Sequence, residues 1–306
     1  MIKYVSAGAV VVVLLIAGFG VWYFRSGNTR LTTVPPLIPV AATVDAALPK
    51  PPAHTVVVIE ENKSLSEIAG KSKAAPFLNA LIARGALLTR SYGVAHPSQP
   101  NYFALFSGQT NSDGDSCVVS GIAPGASSLG AEILQSGRTF VGYAEGLPSV
   151  GFAGCTSGLY ARKHAPWTHF TAIPGRDGKP FAAFPAYARL PVLAFVIPDI
   201  SNDMHSGSIE RADRWLRRNL GPLTKWSMKN DTLIVITWDE SSAPFSNHIP
   251  TIFFGPMVRP GRYDTIVSQY RVLRTMEALY HLKPIGFSAG VPPIDSIWRS
   301  VTPVRR

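Results

Sequence analysis

Cysteine is scarce in this chain of 306 residues: Cys117 and Cys155 are the only two. Two thiols are too few for a disulfide-built scaffold or a cysteine-ligated zinc site. They fit one bridge in an oxidising compartment, and equally two free buried thiols. Charge is thin as well, at 16% against the ~25% usual in soluble proteins, while hydrophobic residues reach 46%. That pairing excludes a disordered or acidic-tail protein, which needs high charge and little apolar content. Acidic residues number 19 against 29 basic ones, leaving a net charge of +10. Such a balance fits weak attraction of any polyanion or steering of an anionic substrate, and does not choose between them. There is no internal repeat and no low-complexity tract. Glycine and proline, 26 of each, follow no strict period, which excludes collagen and favours a loop-rich fold.

The longest apolar run lies at residues 5–24, VSAGAVVVVLLIAGFGVWYF, without a charge. About 20 such residues at ~1.5 Å each span a bilayer core. Lys3 precedes the run, Arg25 and Arg30 follow it, and Trp22 and Tyr23 sit at one end, where amphipathic rings favour the interface. The run ends in Trp-Tyr-Phe-Arg, a poor cleavage site. An uncleaved transmembrane anchor is therefore favoured over a cleaved signal peptide. Either reading exports the bulk of the chain, to the periplasm or the exterior. Residues 1–27 are assigned to this segment and 28–53 to a linker, where Pro35, Pro36, Pro39, Pro49, Pro51 and Pro52 exclude regular helix.

From 54 to 306 short β-branched runs alternate with helical stretches, the pattern of an α/β domain. Strands are predicted at 55–59, 139–143, 192–197, 232–238 and 250–254, several of them apolar throughout, as strands buried on both faces are. Helices are predicted at 75–84, 100–107, 128–136, 208–220 and 268–281, the first four stopped by Gly85, Gly108, Gly137 and Gly221. Residues 144–190 show little regular pattern and form an excursion over the sheet. Arg211, Arg214, Arg217, Arg218 and Lys225 fall on or near one helix and read as a solvated face, so no specific nucleic-acid site is expected.

Polar groups follow the strands closely. TVVVI runs into Glu60, Glu61 and Asn62; TLIVITW runs into Asp239 and Glu240; VLAFVIP runs into Asp199, then Asn202, Asp203 and His205. In open α/β sheets ligands bind beyond the carboxyl ends of the strands. A single acid there is an ordinary turn residue, but three converging ends bring together carboxylates that repel unless a proton or a cation separates them. A divalent metal answers that need. Ser98 stands just before a predicted helix with Pro100 in its first turn. It can cap that helix, or act as a nucleophile on a phosphate held by the free N–H groups there. His96, His205 and His248 each lie within ten residues of these groups, whereas His164 has no such neighbour and reads as surface; His54 and His281 look incidental and His169 is undecided.

The segments VVVIEENKS, GVAHPSQPNYFALFSG, YARKHAPW, FVIPDISNDMH, LIVITWDE, HIPTIFFGP and YRVLRTMEALY, in this order, resemble the bacterial acid phosphatase/phospholipase C phosphoesterase family of the alkaline phosphatase-like superfamily. The match spans roughly residues 54–293. The resemblance implies an α/β/α sandwich around a mostly parallel sheet. It implies Ser98 as nucleophile, with Glu61, Asn62, Asp239 and Glu240 at metal-holding positions. His96, His164, His205, His248 and Asp203 match positions around the phosphate or a further metal. His164 gains this role by resemblance alone. The chain ends soon after the match, which leans towards a small phosphatase-like member, and Glu240 stands where some relatives carry Asp. The expected activity is metal-dependent hydrolysis of phosphate monoesters through a phosphoserine, with Ser98 also facing the metal. A protonated His248 or His164 serves as donor to the leaving oxygen. The alternatives are a phospholipase C-type phosphodiesterase and a phosphate-binding protein without turnover. The oxygen-rich set suits Mg, Ca or Mn, and Zn if histidines join.

Overall fold

The structure, a computed structural model, describes residues 48–299 apart from Asp113 and Pro244. The run at 5–24 and the linker up to residue 47 lie outside the described residues. Among those described, no helix is long and apolar enough to cross a membrane.

Among the described residues nine strands make one sheet: β1 (His54–Glu60), β2 (Ala86–Tyr92), β3 (Phe140–Ala144), β4 (Gly178–Pro180), β5 (Leu193–Ile197), β6 (Thr232–Trp238), β7 (His248–Ile249), β8 (Thr251–Phe254) and β9 (Gly261–Ser268). The spatial order is β9-β2-β8-β6-β1-β5-β3-β4, with β7 paired to β2. β1 lies at the centre, parallel to both β5 and β6. β3 and β4 continue the parallel set; β8 runs antiparallel to β6 and β2. Among the described residues six helices accompany the sheet: α1 (Leu65–Ile68), α2 (Pro76–Arg84), α3 (Ser98–Ser107), α4 (Leu129–Gln135), α5 (Ile209–Ser227) and α6 (Gln269–Leu279).

The alternation of side chains along β1 divides the core. Val57 and Ile59 pack in one buried cluster with Phe103 and Phe106 of α3 and Leu273 and Met276 of α6. Val56 and Val58 join the other, with Leu78 and Leu81 of α2 and Trp215 and Leu216 of α5. Helices thus cover both faces, which is why the central strands are buried on both sides and mostly apolar. The result is an α/β/α arrangement, as the resemblance implies.

Two expectations are corrected. The helix predicted to stop before Gly221 continues through Gly221 and Pro222 to Ser227. An internal proline removes a backbone hydrogen bond, but burial of Leu223, Thr224 and Ser227 beyond it keeps the helix going. The basic residues Arg211, Arg214, Arg217, Arg218 and Lys225 lie on the exposed face of this helix. Strands β2, β4, β7 and β9 were not predicted. β9 is an edge strand with alternating exposure and carries Arg262 and Asp264, and β2 is apolar only in its first three residues. The 144–190 excursion holds a small hairpin (Thr156–Ser157 with Tyr160–Ala161), β4 and five 3₁₀ turns. Cys117 and Cys155 are bonded, which decides between the bridge and the free thiols and ties this excursion to the loop after α3.

A Cβ added at Gly142 in β3 would fall 2.2 Å from the Trp167 ring. Gly142→Ala is expected to cost about 1–3 kcal/mol, seen as a lower urea midpoint with unchanged slope. His169 packs edge-on against Phe103, and burial lowers its pKa from 6.5 to about 4. The unfolded chain then binds a proton that the folded chain refuses, so stability falls as pH drops through that window. His169→Phe is expected to flatten this slope in urea titrations made between pH 6.5 and 4.

Candidate active site

The carboxyl ends of β1, β5 and β6 open onto one place. Glu61 leaves β1 and is fully buried; its N–H donates to the Asp203 carbonyl at 2.7 Å. Asn62 then turns the chain with φ 51, a left-handed conformation that asparagine tolerates. Its N–H donates to Asp239 Oδ1 at 3.0 Å and its side-chain amide to Glu61 Oε2 at 3.2 Å. Asp203 accepts from the His205 N–H at 2.8 Å, a tight turn through buried Met204, whose φ is 79. Asp239 follows β6 and is held from behind by Gln269, which donates to its carbonyl at 2.7 Å.

Ser98 opens α3, a helix buried along its whole length. Its hydroxyl donates to Glu61 Oε2 at 3.0 Å and lies 3.4 Å from Glu240 Oε1, so it is turned to the carboxylates. The loop before it is pinned by Asn101, which accepts from the N–H groups of Val94 and Ala95 and donates to the carbonyls of Ala95 and Pro97. Of the N–H groups at the start of α3, that of Gln99 is taken by Asp115 Oδ1 at 3.0 Å.

The histidines separate. His164, read locally as surface, is buried at 1% exposure, with Nε2 3.1 Å from Glu61 Oε1 and Nδ1 3.6 Å from Asp203 Oδ2. Burial lowers its pKa to about 3, so it is neutral and offers a lone pair rather than a proton. His205 is exposed, its ring 5.8 Å from that of His164. His96 sits at the rim with Nδ1 2.5 Å from Glu240 Oε2, and that bond raises its pKa. His248 is turned elsewhere: Nε2 meets the Thr89 carbonyl at 2.8 Å and the ring stacks on Tyr92.

Two contributors were not foreseen. The Tyr102 hydroxyl donates to Glu61 Oε1, and its ring stacks on His164 at 5.1 Å. It lies one helical turn after Ser98, a spacing that could have revealed it. Lys163 pairs with Asp115 at 2.5 Å beside the entrance to α3; no sequence signal links the two.

The electrostatics ask for a cation. Burial pushes Glu61 well above the usual carboxylate range, and Asp239 and Asp203 add to it. Burial likewise lifts Asp203 and Asp239 each to about 7, for Asp239 with help from Glu240. Asp203 Oδ2 and Asp239 Oδ2 are buried with no hydrogen-bond partner. Glu61, His164 and His205 each offer a ligand atom, all within 4.8 Å of one another. Orphaned carboxylate oxygens beside a neutral imidazole fit a divalent ion held mainly by oxygen. EDTA is expected to lower the melting temperature by about 5–10 °C, the scale for a ligand at ~100 times its Kd. Asp239→Asn should show less of this EDTA sensitivity in a thermal melt.

Residues 71–283 match the Phosphoesterase family. The chain is 45% identical over 265 residues to the phosphatidylinositol-3-phosphatase of Mycobacterium tuberculosis, covering 85% of this chain and 87% of that protein. It is 30% identical over 230 residues to an acid phosphatase of Aspergillus fumigatus, covering 67% of this chain and 51% of that one. Among solved structures, the lipoteichoic acid synthase LtaP of Listeria monocytogenes aligns with a TM-score of 0.60 at 10% identity, over 87% of this chain and 80% of that one. An alkaline phosphatase superfamily protein of Vibrio parahaemolyticus aligns at 0.58 and 14% identity, over 87% and 78%. At such identities these two likenesses establish the fold alone.

Proposed function

The chain belongs to the phosphoesterase family, hydrolases of phosphoric ester bonds, and we propose that it cleaves phosphate monoesters through a phosphoserine on Ser98. The observation that carries this reading is the Ser98 hydroxyl, set at the start of a buried helix and aimed at two carboxylates. Monoesterase activity is favoured over phospholipase C-type cleavage by the names of the two relatives, an acid phosphatase and a phosphatidylinositol-3-phosphatase. A phosphorylated lipid headgroup belongs within the substrate class on the second of these.

Glu61, Asn62, Asp239 and Glu240 would hold the divalent ion, with Asp203, His164 and His205 beside it through their contacts with Glu61 and one another. When bound, such an ion supplies positive charge to the phosphoryl oxygens and to the serine oxygen. Ser98 Oγ forms the new O–P bond as the bond to the leaving oxygen breaks; its proton passes to the carboxylate that it already faces. His96, whose pKa the bond to Glu240 raises, gives a proton to the leaving oxygen. Water then attacks the phosphoserine, releases phosphate and restores the hydroxyl. This assignment replaces His164 and His248 as donors. The first is buried and neutral, and the second faces Thr89. The Cys117–Cys155 bond supports a working place in an oxidising compartment outside the cytoplasm, and residues 5–24 suit a membrane anchor for it.

Ser98→Ala is expected to lower hydrolysis of p-nitrophenyl phosphate by about 10³-fold or more with an unchanged melting temperature. Acid quenching of the native enzyme with labelled substrate should leave phosphate on Ser98, and a native chain that turns over without labelling would remove the serine mechanism. His96→Gln should slow esters of poor leaving groups, such as alkyl phosphates, at least tenfold more than p-nitrophenyl phosphate. Faster cleavage of p-nitrophenyl phosphorylcholine than of the monoester would transfer the reading to a diesterase.

A further inference from the structure

The proposed reaction brings a phosphate anion to a site walled by the buried carboxylates of Glu61, Asp203, Asp239 and Glu240. Like charges so placed repel, and one divalent ion answers only part of that charge. His96 is assigned to the leaving oxygen, so further positive charge for the phosphoryl oxygens has to come from another side chain. Three basic residues adjoin site residues in the chain: Lys63 follows Asn62, and Arg162 and Lys163 precede His164. Two of them are spent on carbonyls. Lys63 Nζ donates to those of Asn62 at 3.0 Å and Met204 at 3.2 Å. Arg162 donates to those of Ala153 at 2.6 Å and Thr168 at 3.1 Å.

Lys163 differs. Among the described residues its ammonium has one partner, Asp115 Oδ2 at 2.5 Å, which leaves two of its three N–H groups uncommitted. The side chain is 24% exposed, so a ligand can reach it. Two connections fix where it stands. Asp115 Oδ1 accepts from the N–H of Gln99, the residue after Ser98, at 3.0 Å. A single carboxylate therefore separates the ammonium from the first turn of α3. That carboxylate is itself held, because the Gln99 side chain exchanges two hydrogen bonds with the backbone of Ser116. On the other side, Lys163 shares a 3₁₀ turn with His164, whose Nε2 lies 3.1 Å from Glu61 Oε1. Glu61 Oε2 in turn accepts from the Ser98 hydroxyl. The charge is felt inside the site. Burial dominates the pKa values of Glu61, His164 and His205, raising the first and lowering the others, and the Lys163 charge pulls all three down.

We propose that Lys163 is a phosphate-binding residue: it keeps Asp115 with one N–H and donates another to a phosphoryl oxygen of the ester that Ser98 attacks. The assignment rests on the phosphomonoesterase reading above. Lysine carries its charge on a flexible four-carbon stem, and the pairing with Asp115 holds that charge at the start of α3 before substrate arrives. A lysine that served only as counterion to Asp115 would matter to stability and not to phosphate.

The test uses the full-length protein with Mg added, and the variants Lys163→Met and Lys163→Arg. Inorganic phosphate is titrated by calorimetry, and kcat and KM are measured on p-nitrophenyl phosphate. Lys163→Met is expected to weaken phosphate and to raise KM by about tenfold or more, the scale of one charge-assisted hydrogen bond, with kcat within about threefold. Lys163→Arg, which keeps the charge, should hold both within about threefold of native. The drop in melting temperature on adding EDTA should be the same in all three chains, since no group assigned to the ion is changed. Should Lys163→Met fail to fold, Lys163→Gln takes its place with the same expectations. Phosphate affinity and KM that ignore the loss of the charge, or that fall equally in Lys163→Arg, overturn the assignment while the phosphatase reading stands. An EDTA response lost in Lys163→Met also overturns it, because Lys163 would then support the ion and not the phosphate. A native chain that does not turn over p-nitrophenyl phosphate overturns the phosphatase reading and the assignment with it.

Discussion

Four carboxylates, those of Glu61, Asp203, Asp239 and Glu240, are pressed into buried space at one edge of the sheet, and their mutual repulsion is what the surrounding structure answers. Donors are arrayed against them from every side. The backbone N–H groups of Asn62 and His205, the hydroxyls of Ser98 and Tyr102, and the imidazole of His96 all point at these oxygens. Even so, Asp203 Oδ2 and Asp239 Oδ2 stay without a hydrogen-bond partner, and the acids are left with a strong appetite for protons or a cation. A divalent ion bound there would relieve that repulsion.

The centre of this arrangement was legible in the sequence, and its periphery was not. Strands β1, β5 and β6 are buried over nearly their whole length because helices cover both faces, so their apolar stretches stood out as short hydrophobic runs with acids close behind them. The edge strand β9 alternates exposed with half-buried positions and carries charge, so it blended with the loops. The local reading of His164 is the sharper failure, and the resemblance alone pointed to its role. Tyr-Ala-Arg-Lys-His around it reads as surface, and only the folding of the 144–190 excursion against α3 buries the ring on Tyr102. Its position is a tertiary fact with no local signature. His248, near the acids in sequence, binds the Thr89 carbonyl through Nε2 and stacks on Tyr92.

Helix α3 explains why pattern reading missed Tyr102. All of its residues are buried, polar and apolar alike, so it has no solvated face to set a helical period. Its polar residues are instead employed. Ser98 and Tyr102 meet Glu61, Gln99 secures the loop at Ser116, and Asn101 fastens the turn before the helix. A helix of this kind positions groups to within a fraction of an ångström because solvent offers its polar atoms no alternative partner.

The central place of β1 also orders events in time. Asn62 and the carboxylate of Asp239 that it binds are 177 residues apart in the chain, and β1 acquires its second neighbour only when β6 exists. Contacts so distant in sequence close late. A nascent chain that stops short of residue 232 therefore owns the first strand of the sheet, with Glu61 at its end, but neither the β6 neighbour nor Asp239 and Glu240. Catalytic competence is thus acquired only after residues 232–240 have been made and their strand has joined β1.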